Sequence, residues 1–307
     1  MINFWFQKMM NKSFEVYKQL YKPYRYTIKG KSVIFESTSG NYVLKENSND
    51  VSKLFNYLKS RGFNNIPNIV DYSRNNSILY EYLPDTNYPK EQRAIDLVKV
   101  VANLHLKTSY DKDVVEDKYK EIYDNIKSNI LYLNELYDNY YDDFFKELYL
   151  SPSKNIFMQN YSKIKANLKF CEDELDNYYL IVKNKKSSRV VTLHNNLELN
   201  HFIKNDKEYL ISWDNSLVDT PVIDLVKLYK KEYFNLNFEN ILKTYWSIFN
   251  YSQEEKKLFF ILISLPDTII FEGNELLVTT KVRKILDYIY KTENLIRPYY
   301  SENQKEE

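Results

Sequence analysis

The sequence predicts an α+β protein in two parts, a small antiparallel part of five strands with one helix, followed by a larger and mainly helical part. Three observations carry this. Short runs of alternating apolar and polar residues recur between Tyr24 and Tyr82, punctuated by glycine-bearing turns. A segment with two prolines, Leu83-Pro-Asp-Thr-Asn-Tyr-Pro89, then interrupts the pattern. Beyond it, apolar residues recur at helical spacing. With 307 residues, 44% of them hydrophobic, the chain has enough apolar surface for a substantial core.

The elements follow in order. After an amphipathic N-terminal segment to about Leu20, strands are expected over Tyr24–Ile28, Ser32–Ser37 and Asn41–Lys45, turning at Lys29-Gly30-Lys31 and at Ser37–Gly40. Asp50 is the expected cap of a helix through about Arg61, with Val51, Leu54, Phe55 and Leu58 on one face and Gly62 just past its end. Asn68–Tyr72 and Ile78–Tyr82 complete the five strands. This places an N-terminal lobe at residues 1–83 and a C-terminal lobe at 84–307. In the second part, Ala94, Leu97, Val98, Val101, Leu104 and His105 mark one helix face, and His105 reads as a satisfied core histidine. A helical insert at about 113–182 follows, with long helices over about 114–149 and 155–182. Then come a short hairpin at about 201–212 and helices near 221–234, 238–250, 253–264 and 280–295. The last keeps Val282, Ile285, Leu286 and Ile289 in phase, and the tail from Ser301 is expected to fray.

Composition excludes several classes. Lys and Arg number 43 against 42 acids, so no global field favours nucleic acid or an anionic membrane, although a local patch is compatible with the balance. The longest strongly apolar run, Leu258–Leu265, is far below the roughly 20 residues that span a bilayer, so membrane insertion is not expected. The N-terminus begins apolar and no small-residue cleavage site follows, which favours a cytoplasmic location. The single cysteine, Cys171, has no disulfide partner and no cation within Phe170–Glu174 to lower its pKa, consistent with a reducing compartment. Three histidines and one cysteine give no conventional zinc constellation. The 30 tyrosines, without a basic stripe, read as core and surface aromatics, and no nucleic-acid partner is expected.

Chemistry concentrates in Val191–Ile203, Tyr209–Asp214 and Asp219–Leu225. These segments keep the spacing of a phosphoryl-transfer centre, in which a His-x-Asp-x-x-x-x-Asn loop supplies an Asp for the attacking hydroxyl and an Asn for Mg²⁺, and a later Asp grips the metal. Here those three positions hold Asn196, His201 and Ser212. Asn196 has the size of Asp but takes up no proton near neutral pH. His201 offers an imidazole, which suits softer ions than Mg²⁺. Ser212 offers a hydroxyl. Asp214, two residues on, would share a face with Ser212 in an extended chain and rescue the metal site, with Glu198 as an improvised base. Asn200 would serve only if the loop slipped.

Together with the five strands, the helix ending in Leu104-His105 and the Asp-x-Pro-x-x-Asp-Leu run at 219–225, this loop resembles the aminoglycoside phosphotransferase and choline kinase-like family, over roughly residues 24–295. The likeness is strongest to that family's divergent branch of spore-coat-associated proteins from endospore-forming bacteria. The resemblance implies a two-lobed protein-kinase-like fold. It implies that Lys45, in Val43-Leu-Lys45, is the phosphate-binding lysine, although the helix at 51–61 has no acid to hold it and only Glu46 and Asp50 lie near. An exposed strand-end lysine is the alternative. Leu79-Tyr-Glu-Tyr-Leu83 matches the hinge, with Glu81 and Tyr82 offering backbone to adenine, or is simply an alternating strand. The phosphate loop at Lys29–Ser32 retains only Gly30. His194 is implied to be structural, and Asp219 and Asp224 architectural.

The expected function is therefore a non-catalytic pseudokinase that binds a protein partner and needs no cofactor, at the developing spore surface if the branch holds. The alternatives are an active phosphotransferase using ATP and Mg²⁺ on a small hydroxylated substrate through a rearranged metal site, and a nucleotide or metabolite sensor.

Overall fold

The structure, a computed structural model, describes residues 14–30, 32–46, 51–74, 77–114 and 117–301. Asp50 and the tail beyond Ser301 lie outside them, as does most of the amphipathic N-terminal segment. The elements begin with α1 (14–21), β1 (Arg25–Lys29), β2 (Ser32–Ser37), β3 (Gly40–Glu46), α2 (Val51–Ser60), β4 (Ile69–Arg74), β5 (Ser77–Glu81), α3 (Lys90–Thr108) and β6 (Tyr110–Asp113). They continue with α4 (Lys118–Phe145), α5 (Pro152–Val182), β7 (Ser187–Leu193), β8 (Phe202–Lys204), β9 (Glu208–Leu210), β10 (Leu217–Asp219), α6 (Val222–Glu232), α7 (Phe238–Ile248), α8 (Gln253–Ser264) and α9 (Glu275–Ser301). The chain divides into two compact units, neither continuous: residues 1–108 with 194–217, and 109–193 with 218–307. The division expected after residue 83 falls inside the first unit, which also takes α3 and the 194–217 loop.

The first unit is built on a five-stranded antiparallel sheet in the order β1-β2-β3-β5-β4. Its turns are tight: Lys29 faces Ser32 and Ser37 faces Gly40. Gly40 sits at φ +138°, a backbone conformation that favours glycine, and a Cβ there would lie 3.3 Å from the Tyr42 hydroxyl, which would have to shift slightly. The alternation in β2 turns Val33 and Phe35 inward, where they pack with Leu44, Leu79 and two residues of α1, Phe14 and Tyr17. α2 closes as the glycine at position 62 predicts: with Gly62 at φ +76°, the Phe63 N–H reaches the Leu58 carbonyl and the Gly62 N–H that of Lys59, both at 2.9 Å. α3 buries a broad apolar stripe with one acid in it, Asp96, which accepts from Lys204 of β8 at 2.6 Å and Gln92 at 2.9 Å.

The second unit packs α4, α5 and α9 around Leu133, Tyr137, Phe144, Phe157, Ile164, Leu168, Val278, Val282 and Ile289. α9 starts five residues earlier than expected and runs on past Pro298, where a proline in the last turns breaks little helix. Buried Glu174 of α5 ties three helices, accepting from Lys257 of α8 at 2.7 Å and the Tyr300 hydroxyl of α9 at 2.8 Å. A three-stranded sheet in the order β10-β7-β6 was not legible beforehand, because Tyr-Asp-Lys-Asp in β6 has four exposed side chains and no alternation. Arg189 of β7 pairs with Glu255 of α8, which also closes the capping box at Ser252. Cys171 is fully buried and burial pushes its thiol up to about 12, so it is unreactive at neutral pH. Among the described residues no helix is long and apolar enough to cross a membrane.

Candidate functional site

The loop at 194–217 belongs wholly to the first unit, so its geometry can be read against β3, α2, α3 and β5 of that unit. His194 is its fixed point. The imidazole is fully buried, its Nε2 donates to the Ile211 carbonyl at 2.8 Å, and its ring meets Trp213 edge-on at 4.9 Å. Trp213 is itself held by donation from its indole N–H to the Leu210 carbonyl at 2.7 Å and packs between Phe55 of α2 and Phe63. The two halves of the motif are thereby joined beneath the surface, as a buried imidazole with a polar edge and an aromatic neighbour allows.

Above this base lie the three substituted positions. Asn195 and Ser212 both adopt left-handed backbone conformations, at φ +60° and +67°. Asn tolerates that region; Ser holds it at a cost of roughly 1 kcal/mol. Ser212 precedes a single 3₁₀ turn, Trp213–Asn215, and the Asn195 amide donates to the Asn215 carbonyl at 2.8 Å. The extended geometry that would put Ser212 and Asp214 on one face is therefore absent, because the chain turns at Ser212. His201 donates from Nδ1 to the Asn196 carbonyl at 2.8 Å, which leaves Nε2 as its one nitrogen with a lone pair. Its backbone N–H closes on the Glu198 carbonyl at 3.0 Å.

Lys45 differs most from expectation. The sequence leaves it without an acid because α2 has none, yet in the structure Lys45 donates to, and pairs with, Asp214 across 169 residues. Both side chains are largely covered, at 18% and 31% exposure. The acid expected to rescue a metal site thus neutralises Lys45 instead.

The donor set at this site does not fit Mg²⁺. That ion asks for several hard oxygen ligands, preferably anionic, and the motif positions supply an amide, a hydroxyl and an imidazole, with Asp214 engaged by a lysine. Among the described residues no group of three or more His, Cys, Asp or Glu side chains is placed to hold a metal. In the Leu79–Leu83 segment, the Glu81 N–H is spent on the Asn68 carbonyl at 3.2 Å and the Tyr82 N–H on the Asn41 carbonyl at 2.9 Å. The next donor, the Leu83 N–H, has no backbone partner among the described residues. The turn after β1 is two residues long, and Gly30 stands in it at φ +56°. Asp219 and Asp224 lie in the second unit. Asp219 accepts from the Thr220 N–H at 2.7 Å, and Asp224 is fully buried in the first turn of α6, where the helix dipole favours a carboxylate.

Sequence reasoning missed the residues that fasten the C-terminal end of the loop. Arg93 of α3 donates to the Phe202 and Thr86 carbonyls at 2.8 Å each and pairs with Asp85 at 2.9 Å. Lys204, two residues after Phe202, carries the bond to buried Asp96. The signal was present: an aspartate at position 96 inside an apolar helix stripe demands a cation.

No protein-family profile matches the chain, and no curated protein matches its sequence. Solved structures do match. An aminoglycoside phosphotransferase from Alicyclobacillus acidocaldarius aligns with a TM-score of 0.69 over 92% of this chain and 93% of that one, at 8% identity. Spectinomycin phosphotransferase, in its AMP-bound complex, aligns with a TM-score of 0.51 over 95% and 94%, at 14% identity. At such identities the likeness is one of architecture: a small antiparallel sheet and a helical C-terminal part give this chain the kinase-like fold of the aminoglycoside phosphotransferases.

Proposed function

We propose that the chain is a pseudokinase, a kinase-fold protein that binds a partner protein and transfers no phosphoryl group. The observation that carries this reading is the Lys45–Asp214 pair standing over a loop with Asn196, His201 and Ser212 in place of the base and the two metal ligands. Two of the departures remove a carboxylate charge and the third, His201, removes an amide oxygen ligand, and loss of one such group commonly costs a hundredfold or more in rate, roughly 3 kcal/mol. The three losses act on the same step. What is retained, the buried His194–Ile211 bond, the Trp213 packing and the Arg93 contacts, serves shape rather than chemistry. For the spore-coat-associated branch, the partner would be met at the developing spore surface.

One observation favours a second reading, nucleotide sensing without transfer. Lys45 remains a covered cation on β3, and the Leu83 N–H is a backbone donor at the hinge, so AMP or ATP has two anchoring points that need no metal. AMP is what the spectinomycin enzyme's structure contains.

Turnover of radiolabelled ATP by the full chain, with Mg²⁺ or Mn²⁺, tests the proposal. The expected result is a rate indistinguishable from Lys45→Met with either ion. Turnover that vanishes in Lys45→Met or Asp214→Asn would mark an active enzyme with Asp214 as its metal ligand, and would end the pseudokinase reading.

A further inference from the structure

We propose that the groove between α5 and α9 seats an amphipathic helix of a partner protein, which rests on the partner-binding reading above and gives it a surface and a ligand class. The groove has a volume of about 960 Å³ and lies wholly within the second unit. Its walls repeat at helical spacing. Asn160, Lys163, Asn167 and Phe170 form one stripe of α5. Leu286, Tyr290, Glu293 and Arg297 form the facing stripe of α9. The lining runs from Asn160 to Phe170, about 15 Å, and from Leu286 to Tyr300, about 21 Å, at roughly 1.5 Å per residue, which matches a helix of about 10–14 residues.

The groove is apolar at its base and built in advance. Ile289 and Ile296, 5% and 6% exposed, lie deepest in the lining, and exposed Ala166 has its smallest side chain, which keeps the α5 wall low. One end is closed by Phe170 and Tyr300, whose rings meet edge-on at 5.3 Å, and the Tyr300 hydroxyl is fixed on Glu174 at 2.8 Å. The Asn167 amide is tied to the Ser264 carbonyl, also at 2.8 Å. Tyr290, 65% exposed, stands on the rim as an aromatic anchor of the kind that carries binding energy. Two packed helices present ridges every three or four residues, the relief into which a third helix fits. An extended peptide would need a strand edge to pair with, and neither wall has one.

The charges specify the occupant further. Glu293 and Arg297 pair with each other at 2.6 Å, whereas Lys163 and Asp287 are exposed and enter no salt bridge among the described residues. One cation is therefore left on the α5 wall and one acid on the α9 wall. A complementary helix carries an acid on one flank of its apolar stripe and a base on the other. The residues after α9, Glu302-Asn-Gln-Lys-Glu-Glu307, include no apolar side chain and do not supply that stripe.

Panning a phage-displayed library of random peptides about 14 residues long against the immobilised full chain tests this. Enriched peptides should carry apolar residues at i, i+3 or i+4, and i+7, flanked by an acid and a base, and should become helical on binding, read by circular dichroism. In fluorescence anisotropy their affinity should fall on the order of tenfold or more for A166R, which fills the groove, and for Y290A. It should fall several-fold for K163E/D287K, which leaves the net charge unchanged. All four positions are exposed, and a thermal melt of each variant establishes folding. No enrichment, enriched peptides without a helical period, or unchanged binding by folded A166R and Y290A would overturn the proposal. Self-association of the unmodified chain in light scattering that A166R abolishes would overturn it in favour of a second copy. ATP turnover is read separately: it would end the pseudokinase reading and leave the groove standing, and a failed selection would do the reverse.

Discussion

At the scale of single residues, the account rests on Asp214 and Ser212. Asp214 is covered and paired with Lys45, so Asp214→Ala strands a partly buried ammonium and should cost roughly 1–2 kcal/mol in urea unfolding. Lys45→Met/Asp214→Ala together should recover most of that loss, because neither charge is then left alone; a double variant as unstable as the sum of the singles would mean that the two do not interact. Ser212 holds a left-handed conformation that Asn adopts more readily and a β-branched residue hardly at all. Ser212→Asn should accordingly hold or raise the urea midpoint, and Ser212→Val should lower stability by about 1–2 kcal/mol. The opposite order would contradict the backbone geometry at this turn. Restoring the motif residues is the complementary change: Asn196→Asp, His201→Asn and Ser212→Asp combined should confer metal-dependent nucleotide binding, read by calorimetry. A folded triple variant that ignores nucleotide would show that more than the metal ligands has been lost.

Among the elements, legibility followed local pattern. Ser32–Ser37 and Gln253–Ser264 are where the sequence places them, because an alternating run between turn formers and a compact apolar run are local signals in themselves. The close of α2 was equally readable from one glycine, and Gly62→Ala, at φ +76°, should cost about 1 kcal/mol in thermal or urea unfolding. β6 and β7 escaped notice for the reverse reason. Their pairing is set by tertiary contact, Tyr110 with Val190 through Asp113 with Ser187, and not by any period in Tyr-Asp-Lys-Asp. The candidate site was half legible. Spacing gave the positions of Asn196, His201 and Ser212, but a partner for Lys45 at 169 residues' distance, and a 3₁₀ turn that moves Asp214 off the Ser212 face, arise only when the first unit closes on itself.

For the whole molecule, electrostatics sets the pH response. In Asp96, Glu174 and Asp138 burial alone would raise the carboxyl, but the bonds from Lys204 and Gln92, from Lys257, Tyr300 and Asn177, and from Lys165 and Tyr161 outweigh it and hold each below its ordinary value. Groups depressed in the folded state stabilise it above their unfolded pKa, near 4, and lose that contribution as pH falls through the folded value, because the unfolded chain then binds more protons. The melting temperature should therefore be level from about pH 8 to 5 and fall below about pH 4; a maximum in acid would contradict the pairing.

The same scale holds the central claim, that a kinase-like fold persists around a centre that no longer grips metal and triphosphate. A thermal-shift titration of the unmodified chain with ATP, with and without Mg²⁺, bears on it most directly, since a ligand that binds only the folded state raises the melting temperature in proportion to its affinity. The expected outcome is the same melting temperature whether or not Mg²⁺ accompanies the nucleotide. A rise with ATP that appears only when Mg²⁺ is added would contradict the claim.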